Sequence, residues 1–256
     1  MNNASSISRR NLLASGLACG AVLGTSPAVL AGQMKRHPVF VELFTSQGCS
    51  SCPAADAFMA ELVQRPGIIA VSMNVDYWNY LGWRDTLSQA VFTKRQKEYA
   101  ARRGDGQVYT PQMVINGRSH VVGSHKQTVL DEISRQASVP ESYFVPITMS
   151  AKGNELDIEV GGGPTDRIIQ ASTLWVMSVV PQVTVSIERG ENSGREITYH
   201  NVVRQLTPAG MWKGEGQRLS LPKKHVMDGQ SSMCVAVLQG DNGGAVLGCA
   251  SMLATS

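Results

Sequence analysis

A predicted strand that runs directly into two closely spaced cysteines and a helix limits the fold of this chain more than any other feature. In the stretch VELFTSQGCSSCPAAD, residues 41–56, Cys49 and Cys52 lie three positions apart and a proline follows them. The pattern places Cys49 at the N-terminus of the helix, where unpaired N–H groups and the helix dipole favour a thiolate. Cys52 then lies one turn further along, within reach of a mixed disulfide. We therefore predict a redox-active pair with Cys49 as the nucleophile and Cys52 as the resolving thiol.

The segment around this pair alternates between predicted strands and helices. Apolar runs predict strands at 38–45 and 68–75, helical spacing follows each of them, and Asn116-Gly117 joins two further short strands as a hairpin. The resulting order is β-α-β-α-β-β-α, in which the first two strands pair in parallel through a right-handed crossover. This is the order of the thioredoxin core, so we assign residues 32–140 to a thioredoxin-like domain of the α/β class.

After residue 140 the pattern becomes all-β. Apolar runs such as ELDIEVGG, VTVSIERG and SMCVAVLQ are separated by turn signals such as GENSG and GDNGG. Short strands broken by glycine-rich turns are typical of a sandwich or a barrel. We predict that residues 141–256 form an all-β, sandwich-like region that follows the first domain.

The first 31 residues predict export. Arg9 and Arg10 precede a run of apolar and small residues that closes with a small-x-small pattern at Ala31. The stretch resembles a twin-arginine signal peptide, which directs proteins across the bacterial inner membrane. A membrane anchor and a lipoprotein signal at Cys19 are the alternatives, although the apolar run is short and rich in Gly, Ala and Ser. We expect cleavage after Ala31 and a periplasmic protein without a stable membrane anchor.

The charge of the chain disfavours one class of partner. The formal net charge of +3 falls to +1 when residues 1–31 are removed, because they carry two arginines and no acidic residue. A nearly neutral chain without a long basic run gives no electrostatic reason to expect binding to nucleic acid or anionic lipid. The expected partners are instead protein or peptide thiols and disulfides in the periplasm.

Three further residues resemble site residues of thioredoxin-like proteins. Pro111 follows a long helical segment and precedes a strand, where that superfamily has a cis-proline facing the cysteine pair. The resemblance implies that Thr110 offers its backbone to the substrate chain. Glu42 lies in the apolar run VFVELF, one residue further from Cys49 than usual, and would be a buried acid that moves the proton of Cys52. A trans bond and a solvent-facing Glu42 are the alternatives.

The loop NVDYWNYLGWRD follows the second predicted strand and is rich in aromatic rings. Tyr77 and Trp78 are the candidates for lining a groove that receives an unfolded or peptide-like partner. The alternative is that the rings of this loop fill the join between the two domains.

Four stretches together are similar to one protein family. VELFTSQGCSSCP, NVDYW…LGWRD, YTPQMVING and IERGENSG…YHNVVR resemble exported bacterial thioredoxin-like proteins that are named only as a domain of unknown function. The resemblance spans nearly all of the chain after residue 31. It implies a thioredoxin fold and an exported location but supplies no reaction, so the chemistry must come from the cysteine motif.

The two C-terminal cysteines predict a second disulfide. The segment CVAVLQGDNGGAVLGC is symmetric about Asp241-Asn242, so that Cys234 and Cys249 lie at equal distances from its centre. Opposed residues of an antiparallel hairpin share a face and bring their Cβ atoms to about 4.5–5.5 Å, near the reach of a disulfide. We predict a structural bond between Cys234 and Cys249. Two buried free thiols on adjacent strands are the alternative.

The motif predicts a thiol–disulfide oxidoreductase that exchanges disulfides with protein substrates and needs no cofactor. Two other classes stay open. A copper(I) site could use Cys49 and Cys52 with Met73 or Met113, because thiolate and thioether ligands suit that ion. The pair could also be a staple in a non-catalytic partner-binding module. A zinc site is not predicted, because the sequence has no second close pair of cysteines or histidines with ligand spacing.

Overall fold

The first strand of the structure leads directly into the cysteine motif. The computed structural model describes residues 37–140, 143–163, 171–227 and 229–253. The predicted signal peptide, with its arginine pair and its cleavage site at Ala31, lies outside these residues. Among the residues that are described, no helix is long and apolar enough to cross a membrane.

The N-terminal half has the predicted order β-α-β-α-β-β-α. Its elements are β1 (Val39–Thr45), α1 (Pro53–Leu62), β2 (Ile68–Asn74), α2 (Ala90–Arg103), β3 (Gln112–Ile115), β4 (Ser119–Val122) and α3 (Lys126–Ala137). β1 and β2 pair in parallel, and β3 pairs antiparallel with both β1 and β4. Asn116 and Gly117 form the turn between β3 and β4, and both have the positive φ that a tight hairpin turn requires. These local predictions are confirmed.

The described elements of the C-terminal half are strands, apart from one four-residue helix. Its elements are β5 (Ile147–Lys152), β6 (Glu155–Val160), β7 (Ser172–Ser186), β8 (Glu196–Trp212), β9 (Gln217–Pro222), α4 (Lys223–Val226), β10 (Met233–Gly240) and β11 (Val246–Leu253). β7 and β8 form a long antiparallel hairpin that is paired as far as Ser186 and Glu196. β10 pairs with β7 only as far as Val179, so the far end of the hairpin extends beyond it.

One mixed sheet contains strands from both halves, so the predicted fold class was wrong. Its order is β11-β10-β7-β8-β2-β1-β3-β4, and β5-β6-β9 form a second sheet. β8 adds in parallel to the edge of β2, with Val202 opposite Ser72. An open sheet edge leaves backbone groups unpaired, and β8 covers that edge. The described residues form a mostly β protein of eleven strands and four helices, not a thioredoxin-like α/β core followed by a separate all-β region.

Each face of β1 packs against a different cluster of the core. Val41 and Leu43 pack with Phe58 of α1 and Ile133 of α3. The other face belongs to a cluster that combines residues of β1, α2, β7 and β10, among them Phe40, Phe44, Tyr99, Met177, Val179, Val235 and Val237. The strand that leads into the motif is therefore buried on both faces, and one of its two clusters extends into the C-terminal half.

The three-stranded sheet packs in a further layer with the other face of β7 and β10. Leu156 and Ile158 of β6 share a buried cluster with Leu174 of β7, Trp212 of β8 and Ala236 of β10. Two sheets that bury one face against each other are a common solution for strands with alternating polarity. This layer fixes the base of the long β7–β8 hairpin, whose opposite end reaches the cysteine motif.

Candidate functional site

Cys49 and Cys52 form the centre of the candidate site. They are joined by a disulfide, and their Cα atoms are 5.4 Å apart. Cys52 is the last residue before α1, and its carbonyl accepts the backbone N–H groups of Ala55 and Asp56. The helix therefore begins later than the sequence predicted, and Cys49 lies in the turn before it. The pair still lies at the N-terminal end of α1, where the partial positive charge favours a thiolate.

The two serines of the motif are exposed, while both cysteines are buried. The Ser51 hydroxyl lies 3.3 Å from the sulfur of Cys49 and 3.5 Å from the carbonyl oxygen of Thr110. In the reduced state this hydroxyl is placed to donate a hydrogen bond to a thiolate on Cys49. Sequence analysis did not single out Ser51, although its position between the cysteines was an available signal.

The peptide bond between Thr110 and Pro111 is cis, as predicted. The contact between the Ser51 hydroxyl and the Thr110 carbonyl places this segment beside the motif. Gly123 donates its N–H to the Pro111 carbonyl at 2.9 Å, which ties the segment to the residue after β4. The structure thus brings Thr110, the residue before Pro111, to the cysteine motif.

Trp78 of the aromatic loop also lies at the motif. Its indole N–H donates to the Thr110 hydroxyl at 2.8 Å. Its Cβ lies 3.1 Å from the position that a Cβ on residue 48 would occupy, so Gly48 permits the close approach. Tyr77 is half-buried next to Trp78, and burial raises the pKa of its phenol to about 12 although Gln96 and Thr110 lower it in part. Both rings are half-buried and also pack against the core cluster that combines β1, α2, β7 and β10, so their role in lining a groove stays a prediction.

Trp83 of the same loop lies where the alternative prediction for these rings, filling the join between the two halves of the chain, would place it. Its indole N–H donates to the side-chain oxygen of Gln47 at 2.8 Å. The ring packs against a cluster that includes Ile187 and Tyr199 of the β7–β8 hairpin. Trp83 therefore fills the space between the loop and the hairpin.

Glu42 is buried, as predicted, but the structure does not bring it to the cysteine pair. Arg95 of α2 donates to its Oε1 at 2.5 Å, and the Tyr99 hydroxyl donates to its Oε2. Successive side chains of a strand point to opposite faces, and the next residue, Leu43, packs in the cluster that contains α1. Glu42 therefore points away from the helix that follows the cysteines. Its carboxylate belongs to a buried ion pair rather than to a proton path for Cys52.

Asp56 is the buried acid beside the motif, and sequence analysis missed it. It lies one turn after Cys52 on α1, and its Oδ1 accepts a hydrogen bond from the Thr45 hydroxyl at 2.7 Å. Burial raises the pKa of Asp56 to about 8, the bond from Thr45 lowers it, and the charge of Asp85 adds to the rise. Its spacing was a usable signal, because residues four apart on a helix share a face.

The tip of the β7–β8 hairpin fixes the motif from the C-terminal half. The side chain of Asn192 is fully buried, and its amide donates to the carbonyl oxygens of Gln47 and Cys49, both at 2.9 Å. Asp85 accepts the N–H of Gln47 at 2.8 Å. Side chains from two distant segments therefore hold the loop before the motif. No local pattern identifies Asn192, which lies 143 residues from Cys49 in the sequence.

Glu191, next to Asn192, brings a carboxylate to the motif. Its Oε2 accepts the backbone N–H of Ser50 at 3.2 Å, and both residues are exposed. Ser50 directly follows Cys49, so the negative charge lies beside the turn that contains the predicted nucleophile. Sequence analysis did not predict this contact either.

The predicted disulfide between Cys234 and Cys249 is wrong. Both cysteines are free and buried, and burial raises the pKa of each thiol to about 12. Cys234 lies opposite Met252 and Cys249 lies opposite Val237, so the register differs by three residues from the symmetric one. An odd shift places the two side chains on opposite faces of the sheet. Cys234 accordingly packs with the cluster of the small sheet, and Cys249 packs with the cluster behind β1.

The described ranges contain no group of three or more His, Cys, Asp or Glu side chains arranged to hold a metal ion. Met73 and Met113, the thioether ligands considered for copper, are fully buried. They belong to two different apolar clusters, on either side of the sheet, and pack as core residues.

Comparisons with known proteins show one family and give no reaction. The family described as "Protein of unknown function (DUF1223)" matches residues 40–239. A crystal structure of protein AGR_C_4864 from Agrobacterium tumefaciens shares 31% sequence identity, covers 87% of this chain and 96% of its own, and superposes with a TM-score of 0.75. HBP35 of Porphyromonas gingivalis shares 9% identity over 85% of this chain and 75% of its own, with a TM-score of 0.58, which is a likeness of fold alone. No curated protein matches the chain.

Proposed function

Because the chain belongs to the DUF1223 family, whose description assigns no reaction, we propose its function from the site: a thiol–disulfide oxidoreductase that exchanges disulfides with protein or peptide partners. The observation that carries the proposal is that Thr110, the residue before Pro111, contacts the cysteine motif and that the buried Asp56 lies one helical turn after Cys52. A disulfide that only staples the fold has no need of a buried proton acceptor beside it. Exchange is helped by one, because a thiol must lose its proton before it attacks.

The first step joins the protein to its partner. In the reducing direction, the Cys49 thiolate attacks one sulfur of the partner's disulfide. A bond forms between Cys49 and that sulfur, the partner's S–S bond breaks, and its other sulfur leaves as a thiolate that takes a proton from solvent. The Ser51 hydroxyl and the N-terminal end of α1 stabilise the attacking thiolate.

The second step releases the partner. Cys52 gives its proton to the Asp56 carboxylate, which lies one turn away on α1, and the resulting thiolate attacks the sulfur of Cys49. The bond between Cys49 and the partner breaks, and the partner's sulfur leaves as a thiolate that takes a proton from solvent, while Asp56 releases its proton to solvent. The products are the Cys49–Cys52 disulfide and a dithiol on the partner, which has gained two electrons. The reverse sequence oxidises a dithiol partner.

The partner reaches the pair from the side on which Ser50 and Ser51 are exposed. Thr110 and Pro111 border this side, because the Thr110 carbonyl contacts the Ser51 hydroxyl. Trp78 is fixed to Thr110 by its indole hydrogen bond and, together with Tyr77, offers aromatic surface to a peptide chain.

The proposed reaction belongs in the periplasm. Arg9, Arg10 and the small residues up to Ala31 support export by a twin-arginine signal, and an oxidising compartment supplies protein disulfides as partners. Mass spectrometry of the protein purified from the periplasm tests this part. We expect a chain that begins at Gly32, and a chain that retains Met1 in the cytoplasmic fraction would contradict it.

Two serine variants test the reaction. Cys49→Ser removes the nucleophile, because serine is not ionised near neutral pH, and should abolish exchange. Cys52→Ser leaves the attack intact but removes the resolving thiol, so mixed disulfides with partner proteins accumulate as reducible high-mass bands on non-reducing gels. Cys249→Ser is the matched control, since this buried free thiol should not affect exchange. Identical behaviour of the first two variants, with no trapped adduct in a periplasmic extract, would contradict the proposal.

A further inference from the structure

The carboxylate of Glu191 lies beside the turn that contains Cys49, where it opposes the negative charge of the thiolate that the proposed reaction creates. It accepts the N–H of Ser50, the residue after Cys49, at 3.2 Å. Asn192 holds the adjacent backbone in place, because its fully buried amide binds the carbonyl of Cys49. The buried side chain anchors the loop, and its exposed neighbour extends to the motif. The β7–β8 tip therefore forms part of the cysteine site.

The carboxylate affects the two redox states differently. In the disulfide state the sulfur of Cys49 is neutral, and Glu191 is favourably placed at the positive end of α1. In the reduced state a thiolate on Cys49 is stabilised by the same positive end. Glu191, bound to the N–H of the residue after Cys49, adds a like charge there, which destabilises the thiolate and hence the reduced form.

Other titratable groups approach the motif but are buried. Asp56 of α1 lies one turn after Cys52, and Asp85 accepts the N–H of Gln47. Tyr199 of β8 lies near Asp56, and burial raises the pKa of its phenol, so it is neutral at physiological pH. Glu191 differs from these three because it is exposed and carries its charge outside the core, on the side of Ser50 and Ser51.

We propose that the charge of Glu191 acts on Cys49 and biases the Cys49–Cys52 pair towards its disulfide. This bias directs exchange towards reduction of partner disulfides. This inference rests on the proposed function for its biological meaning. Its physical content concerns the equilibrium in which the protein disulfide and two glutathione thiols give the protein dithiol and one glutathione disulfide. That equilibrium can be measured whether or not a protein partner is known.

The experiment compares charge variants of one loop in glutathione redox buffers. Glu191→Gln keeps an acceptor for the Ser50 N–H and removes the charge, so the equilibrium constant for reduction of the disulfide should rise by about threefold to tenfold. This corresponds to a reduction potential higher by about 15 to 30 mV. Glu191→Asp keeps the charge and should stay close to the wild type. Glu188→Gln, an exposed residue three positions earlier, is the matched control.

Salt separates an electrostatic effect from a structural one. Because 1 M salt reduces the screening length to about 3 Å, the difference between the wild type and Glu191→Gln should shrink at that concentration. An equal shift in Glu188→Gln, a shift in the opposite direction, or a difference that persists in 1 M NaCl would overturn the inference. Failure of the serine variants to trap a partner would count against the proposed function and would leave the measured effect of Glu191 standing.

Discussion

The strongest test of the buried acid is Asp56→Asn, which should stabilise the protein while it slows exchange. Asp56 is fully buried and its pKa is raised from 3.8 to about 8, first by burial. The folded state therefore holds this proton more tightly than the unfolded state. Its contribution to stability is fully present below pH 4 and is lost as pH rises towards 8. Asparagine has a similar shape, can still accept the Thr45 hydroxyl bond, and has no charge to lose.

The magnitude follows from the shift in pKa. Each pKa unit corresponds to 1.36 kcal/mol, so the wild type should lose up to about 4 kcal/mol of unfolding free energy by pH 7 through this residue and up to about 6 kcal/mol by pH 9. The variant should lack this loss. The two proteins are expected to have similar stability near pH 4, and the variant should be more stable at pH 7 and above.

Urea unfolding of the oxidised proteins at pH 4, 7 and 9 measures this difference. Asp131→Asn is the control, because Asp131 lies on the exposed side of α3 and its loss should leave the pH dependence unchanged. Equal pH slopes for the wild type and Asp56→Asn would refute the reasoning. Activity provides a second readout, because Cys52 loses its proton acceptor. Exchange should slow, and its pH profile should lose an inflection near pH 8.

Two further predictions concern residues whose contacts in the structure differ from the roles predicted from the sequence. Glu42→Leu should lower the unfolding free energy by about 3–5 kcal/mol, because it leaves the buried Arg95 guanidinium without its counter-ion. Denaturant unfolding measures this loss. If the variant changed the free energy of the glutathione equilibrium more than the free energy of unfolding, Glu42 would belong to the redox site after all. Cys234 and Cys249 should resist alkylation in the folded protein and react without reductant once it is unfolded; mass spectrometry that finds them joined would contradict the free thiols.

Local sequence patterns determined the elements around the motif. A strand, two cysteines and a helix follow one another within residues 39–62, and the Asn116-Gly117 turn joins β3 to β4 as the pattern required. The cis bond before Pro111 was also predictable by resemblance. These features depend on residues that are close in sequence, and backbone propensities, turn chemistry and the spacing of apolar residues are sufficient to specify them.

The faces of β1 could not be determined from the sequence. β1 is buried on both faces, so it reads as a continuous apolar run without the alternation that assigns a side chain to one face. Glu42 was therefore placed near the cysteines, whereas it pairs with Arg95 on the other face. The acid on the correct side, Asp56, was visible only as a residue four positions after Cys52 in a helix.

Tertiary structure decided the features that join distant segments. The sequence predicted strands on both sides of residue 140, but not that β8 would add to the edge of β2 and merge them into one sheet. The register of the last hairpin is also decided by tertiary structure. A shift of three residues between β10 and β11 places the side chains of Cys234 and Cys249 on opposite faces of the sheet. Asn192 and Glu191 reach the motif because edge pairing and packing of the long hairpin direct its tip there. Such contacts depend on which surfaces are buried together, and no local pattern in the sequence records that.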